Sequence, residues 1–247
     1  MKHVLSCGMG QNSVSLAIWL INNKKPLDLI VFCDTESEQP ETYAYLPEFS
    51  EYCKKHNKKF MIVKSDLGSL YSFCYKRKLI PTRQFRWCTH KFKVIPYNNY
   101  IKANYPKELI YTYIGIGSDE EKRKNSFLNK ETQRLKYLFP FVDEVKIGRK
   151  ESCEIIQKEG LSVPVKSGCF FCPYQTKAKW IDLYNRQPQL FQESIALEQN
   201  CSSYPTFTLL GLSKLKDLEK ALKTQTTLSF YNKKEGVEIE QCGYCLI

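Results

Sequence analysis

"SCGMGQNSVSLAIWL" (residues 6–20) decides how the rest of this sequence is read. The preceding "HVLS" (residues 3–6) has the apolar character of a short strand, and "VSLAIWL" (residues 14–20) that of a helix. Between them Gly8 and Gly10 free the backbone for a tight turn, and Asn12 or Ser13 is placed to cap a helix starting at about Asn12. A strand, turn and helix of this kind presents unpaired N–H groups and the positive end of a helix, which suits a phosphate. No Lys-Ser/Thr pair follows, so the turn is not a Walker loop, and the GxGxxG spacing of dinucleotide folds is missing. On this stretch alone, a tight βα turn that holds no ligand is the alternative.

Outward from the turn, strand and helix signals alternate: "DLIVFC" (28–33), "ETYAYLPEFSEYCKKH" (41–56), "KKFMIV" (58–63) and, later, "ELIYTYIGIG" (108–117). Short continuous apolar strands separated by amphipathic helices predict an α/β fold, a doubly wound parallel sheet covered on both faces. Ligands of such a fold sit beyond the carboxyl ends of its strands, which singles out Asp34 and Thr35 at the end of the second strand. Asp34 is read as a contact to ribose hydroxyls or Mg²⁺, or else as the cap of its own loop. After about residue 150 the character changes to helix-like stretches at "TKAKWIDLYNR" (176–186), "PQLFQESIALEQ" (188–199) and "LSKLKDLEKALK" (212–223). The expected organisation is a nucleotide-binding domain over residues 1–150 and a helical, cysteine-bearing C-terminal portion over 151–247.

The 247 residues carry 37 Lys and Arg against 26 Asp and Glu, a formal net charge of +11, and 43% of them are hydrophobic. A chain of this composition fills a globular core, and its excess positive charge favours a polyanionic partner or a phosphorylated substrate. No apolar stretch approaches the roughly 20 residues that span a bilayer, and the start lacks a charged segment followed by a long apolar run; a cytoplasmic protein without a membrane partner is expected. Eleven cysteines, an odd number, argue against a complete disulfide framework and for metal or catalytic use. Cys33, Cys53 and Cys74 are read as buried small hydrophobes, and Cys7 as a small side chain filling its turn.

Two regions carry further chemistry. "PTRQFRWCTHKFKVIP" (81–96) places Arg83, Arg86, Lys91 and Lys93 within eleven residues, charge enough to clamp a phosphate or sulfate, with Cys88 among cations that stabilise a thiolate. His90 is incidental, because no histidine-rich shell accompanies it, and Asp119, Glu120 and Arg123 are placed near the same mouth without assigned roles. "SGCFFCPYQ" (167–175) and "EQCGYCLI" (240–247) each hold a CxxC pair, Cys169 with Cys172 and Cys242 with Cys245. Four thiolates suit either a Cys₄ zinc site or a [4Fe–4S] cluster. "CYKRK" (74–78) and "YNNY" (97–100) add mixed basic and aromatic surface of the kind that meets nucleic acid.

In family order, the opening turn, "FCDTESEQPETYAYLPEF" (32–49), "RWCTHKFKVIP" (86–96) and "IGIGSDEEKR" (114–123) resemble the PP-loop, the Asp-Thr strand end with its Pro-Glu-Thr helix start, the Arg-x-Cys-Thr segment and the late acidic-basic segment of the phosphoadenosine phosphosulfate (PAPS) reductase-like family. That family belongs to the PP-loop adenine nucleotide alpha hydrolases. The resemblance implies that Ser6, Gly8, Gly10, Asn12 and Ser13 hold the phosphates of ATP or another adenine nucleotide such as adenylyl sulfate (APS) or PAPS, with Arg86 and Lys93 in the catalytic set. It further implies a [4Fe–4S] cluster rather than zinc, on Cys88, Cys169 and Cys172, because related sulfonucleotide reductases and DNA-phosphorothioating enzymes carry one at those places. Trp87 replaces the first member of an adjacent cysteine pair, so Cys245 is assigned as the fourth ligand. The tail also resembles the mobile C-terminus of PAPS reductases, which would make Cys242 a nucleophile.

Three functions follow as expectations. The first is adenine-nucleotide-dependent sulfur transfer to, or modification of, a nucleic acid such as tRNA or DNA, with a sulfur-donor protein or a thioredoxin-like reductant as partner. The second is reduction of APS or PAPS with release of sulfite. The third is a non-catalytic nucleotide- or nucleic-acid-binding module.

Overall fold

The computed structural model describes residues 1–203, 206–211 and 213–224. The described residues divide into two compact units, one of Met1–Asp66 with Thr89–Gly168, the other of Leu67–Cys88 with the described residues from Cys169. Among the described residues the division falls at three points of the sequence, and the unit that holds Cys169 and Cys172 also takes in a stretch of the first half.

The first unit is built on five strands, β1 (Lys2–Ser6), β2 (Leu29–Asp34), β3 (Phe60–Lys64), β4 (Ile110–Ile114) and β5 (Leu135–Leu138), in the order β3-β2-β1-β4-β5. Every pairing is parallel. Among the described residues the α-helices are α1 (Gln11–Asn22), α2 (Pro40–Lys55), α3 (Leu70–Lys76), α4 (Trp87–Thr89), α5 (Ile95–Asn104), α6 (Asn125–Leu128), α7 (Pro140–Asp143), α8 (Arg149–Lys158), α9 (Lys177–Arg186), α10 (Pro188–Asn200) and α11 (Leu215–Lys223), with a π-helical stretch at His90–Val94 and a 3₁₀ stretch at Ser118–Lys124. Among the described residues no helix is long and apolar enough to cross a membrane.

The strands read as unbroken apolar runs because both faces of the sheet are covered. Side chains alternate along a strand, so Leu5, Ile30 and Phe32 pack with Ala17 and Ile18 of α1 and Phe49 of α2 on one face. Val4, Leu29, Val31 and Cys33 pack with Tyr97 and Ile101 of α5 on the other. "YNNY" therefore divides: Tyr97 is a core residue whose hydroxyl pairs with Thr112 at 2.7 Å, which removes it from any nucleic-acid surface. α2 starts at a proline, where the missing N–H costs nothing, and buries Thr42, Tyr45, Phe49, Tyr52 and Cys53, one stripe at helical spacing.

β5 has no counterpart in the sequence reading. It is a four-residue edge strand of half-buried residues, too short to show an alternation. Glu131 accepts the N–H of Tyr137 at 2.9 Å and pairs with Lys136, which occupies part of this edge.

In the second unit, Ser69 caps α3 by accepting the N–H of Ser72 at 3.1 Å. Trp180 of α9 meets Phe191 of α10 edge to face. Glu198 of α10 is buried, and its two carboxylate oxygens accept the N–H groups of Leu209 and Leu215, both at 2.8 Å. One acidic side chain thereby fixes the connector ahead of α11 and satisfies the first N–H of that helix.

Replacing Glu198 by Ala strands both donors, and a loss of roughly 2 to 4 kcal/mol is expected in denaturant melts, since each buried unsatisfied group costs about 1–3 kcal/mol. Burial raises the Glu198 pKa above the ordinary glutamate value, although the two N–H groups oppose the shift. A raised acid pKa means stability that is present at low pH and lost as pH rises through the folded value, so wild type should lose ground to Glu198→Gln across that window in paired thermal melts.

Candidate functional site

β1 ends at Ser6, and the N–H of Cys7 still pairs with Val31 at 2.8 Å before the chain turns away. Met9 takes a left-handed φ of 58° with its side chain buried, an uncommon conformation for a residue with a Cβ. Gly10, not Asn12 or Ser13, is the N-cap of α1, and it carries no capping side chain. Its carbonyl accepts the N–H groups of Ser13 and Val14 and, at 3.0 Å, the Ser13 hydroxyl. Ser13 therefore ties the turn from within the helix, which starts one residue earlier than the composition suggested. Among the described residues, the N–H groups of Gly10, Gln11 and Asn12 donate to no protein acceptor, as first-turn donors do unless a cap or ligand meets them.

Cys7 is fully buried, with its sulfur 3.6 Å from the Ser13 hydroxyl and 3.7 Å from the Met9 sulfur. Burial pushes its thiol up to about 11, so it fills space and is not a nucleophile near neutral pH.

The strand order reverses at β1, whose neighbours β2 and β4 lead away in opposite directions; a doubly wound sheet gathers its ligand at such a crevice. Gly115, just past β4, lies hard against the first turn of α1. A Cβ there would stand 2.7 Å from Ser13 Cα, 2.8 Å from Ser13 N and 2.9 Å from the Asn12 carbonyl carbon. Side chains from other segments surround the same turn. Glu120 Oε2 accepts from Arg123 at 2.6 Å and from Asn12 at 3.5 Å, and Arg149 Nε donates to Gln11 Oε1 at 2.9 Å. Neither Arg149 nor the close approach of Gly115 was legible beforehand, because both depend on α8 and β4 folding back onto α1.

At the end of β2, Asp34 Oδ1 accepts the Glu36 N–H at 2.7 Å and the Tyr43 hydroxyl at 2.8 Å. Burial first, and then the neighbouring carboxylates, push the Tyr43 pKa up and keep it a donor. One oxygen of Asp34 is thus engaged in closing its own loop. The Thr35 hydroxyl donates to Glu38 Oε1 at 3.1 Å, and the same oxygen meets the Lys93 ammonium at 3.0 Å. Glu38, absent from the sequence-derived set, has a wholly buried side chain, and its Oε2 finds no hydrogen-bond partner among the described residues. Lys93 is therefore held by a buried acid.

The four cations of the basic segment fall in different units, Lys91 and Lys93 in the first, Arg83 and Arg86 in the second. Cys88, Cys169 and Cys172 all belong to the second unit and are all half-buried. The CxxC segment is a tight turn in which the Cys172 N–H meets the Cys169 carbonyl at 3.1 Å and the Gln175 side chain meets the Phe170 carbonyl at 2.6 Å. Arg83 Nε donates to the Pro173 carbonyl at 2.7 Å and the Tyr174 hydroxyl donates to the Arg83 carbonyl at 2.6 Å, which strap that turn to the segment leading to Cys88.

No disulfide joins the described cysteines. Among the described residues no three of His, Cys, Asp and Glu are already arranged around a metal position. By kind, three half-buried thiols on two strapped segments fit an iron–sulfur cluster, which needs soft donors near a surface. Cys242 and Cys245, the assigned nucleophile and fourth ligand, lie outside the described residues.

No family profile matches this sequence. An uncharacterized protein of Methanocaldococcus jannaschii, MJ0973, is 24% identical over 221 residues, an alignment that takes in 83% of this chain; the chain spans about half (50%) of that curated relative. Among solved structures, the U34-tRNA thiolase NcsA from Methanococcus maripaludis, determined with its [4Fe-4S] cluster, is similar in fold, with a TM-score of 0.50 and 15% identity over 81% of this chain and 72% of that one. The likeness supports the parallel α/β architecture.

Substituting Gly115 by Ala forces backbone apart, since the crowding atoms belong to the first turn of α1 and not to a flexible side chain. The expected result is a drop in melting temperature, measured by calorimetry.

Proposed function

We propose that this chain is a PP-loop enzyme of the PAPS reductase-like kind that uses an adenine nucleotide to transfer sulfur to a nucleic acid. The observation that carries the reading is the uncapped start of α1, where among the described residues the N–H groups of Gly10, Gln11 and Asn12 meet no protein acceptor, at the point where the strand order reverses. Ser6, Gly8, Gly10, Asn12 and Ser13 form the anion cradle, and Asp34 and Thr35 border the nucleoside side. The fold shared with a tRNA thiolase and the net charge of +11 support a nucleic-acid acceptor.

The chemistry balances as two displacements. A carbonyl-type oxygen of the acceptor base attacks the α-phosphorus of ATP, the bond to the β-phosphate oxygen breaks, and pyrophosphate leaves. A sulfur nucleophile from a separate donor then adds to the activated carbon and expels AMP. The α1 N–H groups stabilise charge that grows on the phosphoryl oxygens, and Lys93, of the same unit, serves that anionic centre. Glu38 fixes Lys93, so this lysine acts as a positioned cation with little freedom of its own. Cys88, Cys169, Cys172 and Cys245 would hold a [4Fe–4S] cluster, which when bound supplies iron that takes up soft sulfur ligands.

Anaerobically purified protein is expected to be brown and to carry about four irons per chain. Cys169→Ala should remove the iron, and Cys242→Ala should keep it. Release of AMP and pyrophosphate from ATP, stimulated by added tRNA or DNA, supports the reading. Sulfite from APS or PAPS with Cys242 required would replace it with a sulfonucleotide reductase, and nucleotide binding without turnover by the loaded protein would leave a binding module.

A further inference from the structure

Arg83 of the basic segment is engaged by protein in a way that a phosphate clamp does not require. It leaves a turn that closes on itself, where the Phe85 N–H donates to the hydroxyl of the buried Thr82 at 3.1 Å. Its Nε donates to the Pro173 carbonyl at 2.7 Å, and its own carbonyl accepts the Tyr174 hydroxyl at 2.6 Å. Two segments distant in sequence are thereby tied twice, each lending a side chain to the backbone of the other. The Tyr174 ring is met from a further direction by the Arg86 guanidinium, which lies over it at 5.9 Å. A third segment borders Arg83 at Gly211, where the left-handed φ is 100° and an added Cβ would stand 3.9 Å from Arg83 Cζ. All of these residues belong to the second unit.

The tie joins the two cysteine-bearing segments. Pro173 directly follows Cys172, and Arg83 leads into the run that ends at Cys88. A hydrogen bond from a charged donor is stronger than a neutral one, and the planar guanidinium fixes its direction, which an ammonium on a flexible stem does not. The charge is a second contribution. Residues 67–88 and 167–181 contain no Asp or Glu, so no carboxylate of either segment neutralises this cation. Cys88, Cys169 and Cys172 as metal-bound thiolates gather negative charge in the same unit. At an iron–sulfur cluster, net charge and the groups around the sulfurs set the reduction potential, and residues that orient the ligands without touching the metal govern how well it is retained.

We propose that Arg83 is a positioning residue of the cysteine centre: its Nε latches the CxxC turn to the Cys88 segment, and its charge makes a bound cluster easier to reduce. This rests on the reading above for the cluster itself and adds a residue outside the ligand set that holds and tunes it.

The test compares iron-loaded, full-length protein purified without oxygen, as wild type, Arg83→Met, Arg83→Lys and Tyr174→Phe. Three quantities are read: the decay of the cluster's visible absorbance in air, the reduced-to-oxidised ratio at one fixed potential by electron paramagnetic resonance, and ATP affinity by calorimetry. Arg83→Met removes latch and charge, so its absorbance should decay about threefold faster or more, and its reduced-to-oxidised ratio should fall by about threefold or more. Arg83→Lys keeps the charge without the planar fork, so it should decay faster than wild type while its ratio stays within about twofold. Tyr174→Phe removes the reciprocal tie alone and should behave as Arg83→Lys does. ATP affinity should stay within about twofold of wild type in all three variants. Recovery of the ratio by lysine marks a role of the charge, which loss of folding alone does not produce. Should Arg83→Met fail to fold, Arg83→Gln carries the same two expectations.

Wild-type decay or a wild-type ratio in the neutral variant overturns the proposal. So does a loss of ATP affinity of about tenfold in that variant with decay and ratio unchanged, which would make Arg83 an anion ligand. The two ideas fail separately. Iron-loaded wild type whose cluster is insensitive to Arg83 sinks this role and leaves the enzyme. The expected responses together with no nucleic-acid-stimulated release of AMP sink the sulfur-transfer reading and leave this role standing, and an iron-free wild type sinks the cluster and this role with it.

Discussion

The candidate site exists because a backbone atom, and nothing larger, occupies the space between the end of β4 and the start of α1. At Gly115 a single added carbon would fall under 3 Å from three main-chain atoms of Asn12 and Ser13. That approach seats the exit of one strand against the uncapped turn that follows its neighbour, and it lets the next segment deliver Glu120 and Arg123 to the same turn. Gly10 meets a related restriction on its other side, where a Cβ would lie 3.1 Å from the Ser167 hydroxyl oxygen. Two glycines thus keep the helix start closely surrounded while no side chain caps it.

A second constraint lies at the end of β2. Glu38 is buried with one oxygen doubly engaged and the other unpaired, an arrangement that costs stability unless something compensates. Lys93 supplies part of that compensation, and the pair fixes a cation at the sheet's carboxyl edge. Asp34 is similarly occupied, with Glu36 and Tyr43 holding one of its oxygens. Acidic residues at this edge therefore act first on the loop and on Lys93, and any ligand contact uses what capacity is left.

The parallel sheet was legible because buried strands print continuous apolar runs, as "DLIVFC" does, and because Gly8 and Gly10 punctuate the first βα turn. β5 was not, since four half-buried residues carry too little pattern, and the cap of α1 was misplaced because Asn and Ser are better capping residues than the Gly10 that takes the position. Cys88, Cys169 and Cys172 lie in one unit, and the cations of the basic segment are divided between two. Glu38, Gly115 and Arg149 escaped notice for a common reason: each matters through a neighbour distant in sequence, and a single sequence does not show which distant segments meet. Tyr97 shows the converse, an aromatic beside polar residues that proved to be core because α5 turns that face to the sheet.

The burial of Cys7, Cys33, Cys53 and Cys74 sorts the thiols of this protein by reactivity. Burial lifts Cys7 to about 11 and Cys33 and Cys53 to about 12, and it raises Cys74 as well. At pH 7 a thiol with a pKa near 11 is ionised on the order of once in ten thousand molecules, and alkylating reagents attack the ionised form. Brief iodoacetamide treatment of the folded protein would therefore spare these four, and peptide mass spectrometry could follow alkylation at the half-buried Cys88, Cys169 and Cys172 against a silent interior background without any mutation being made.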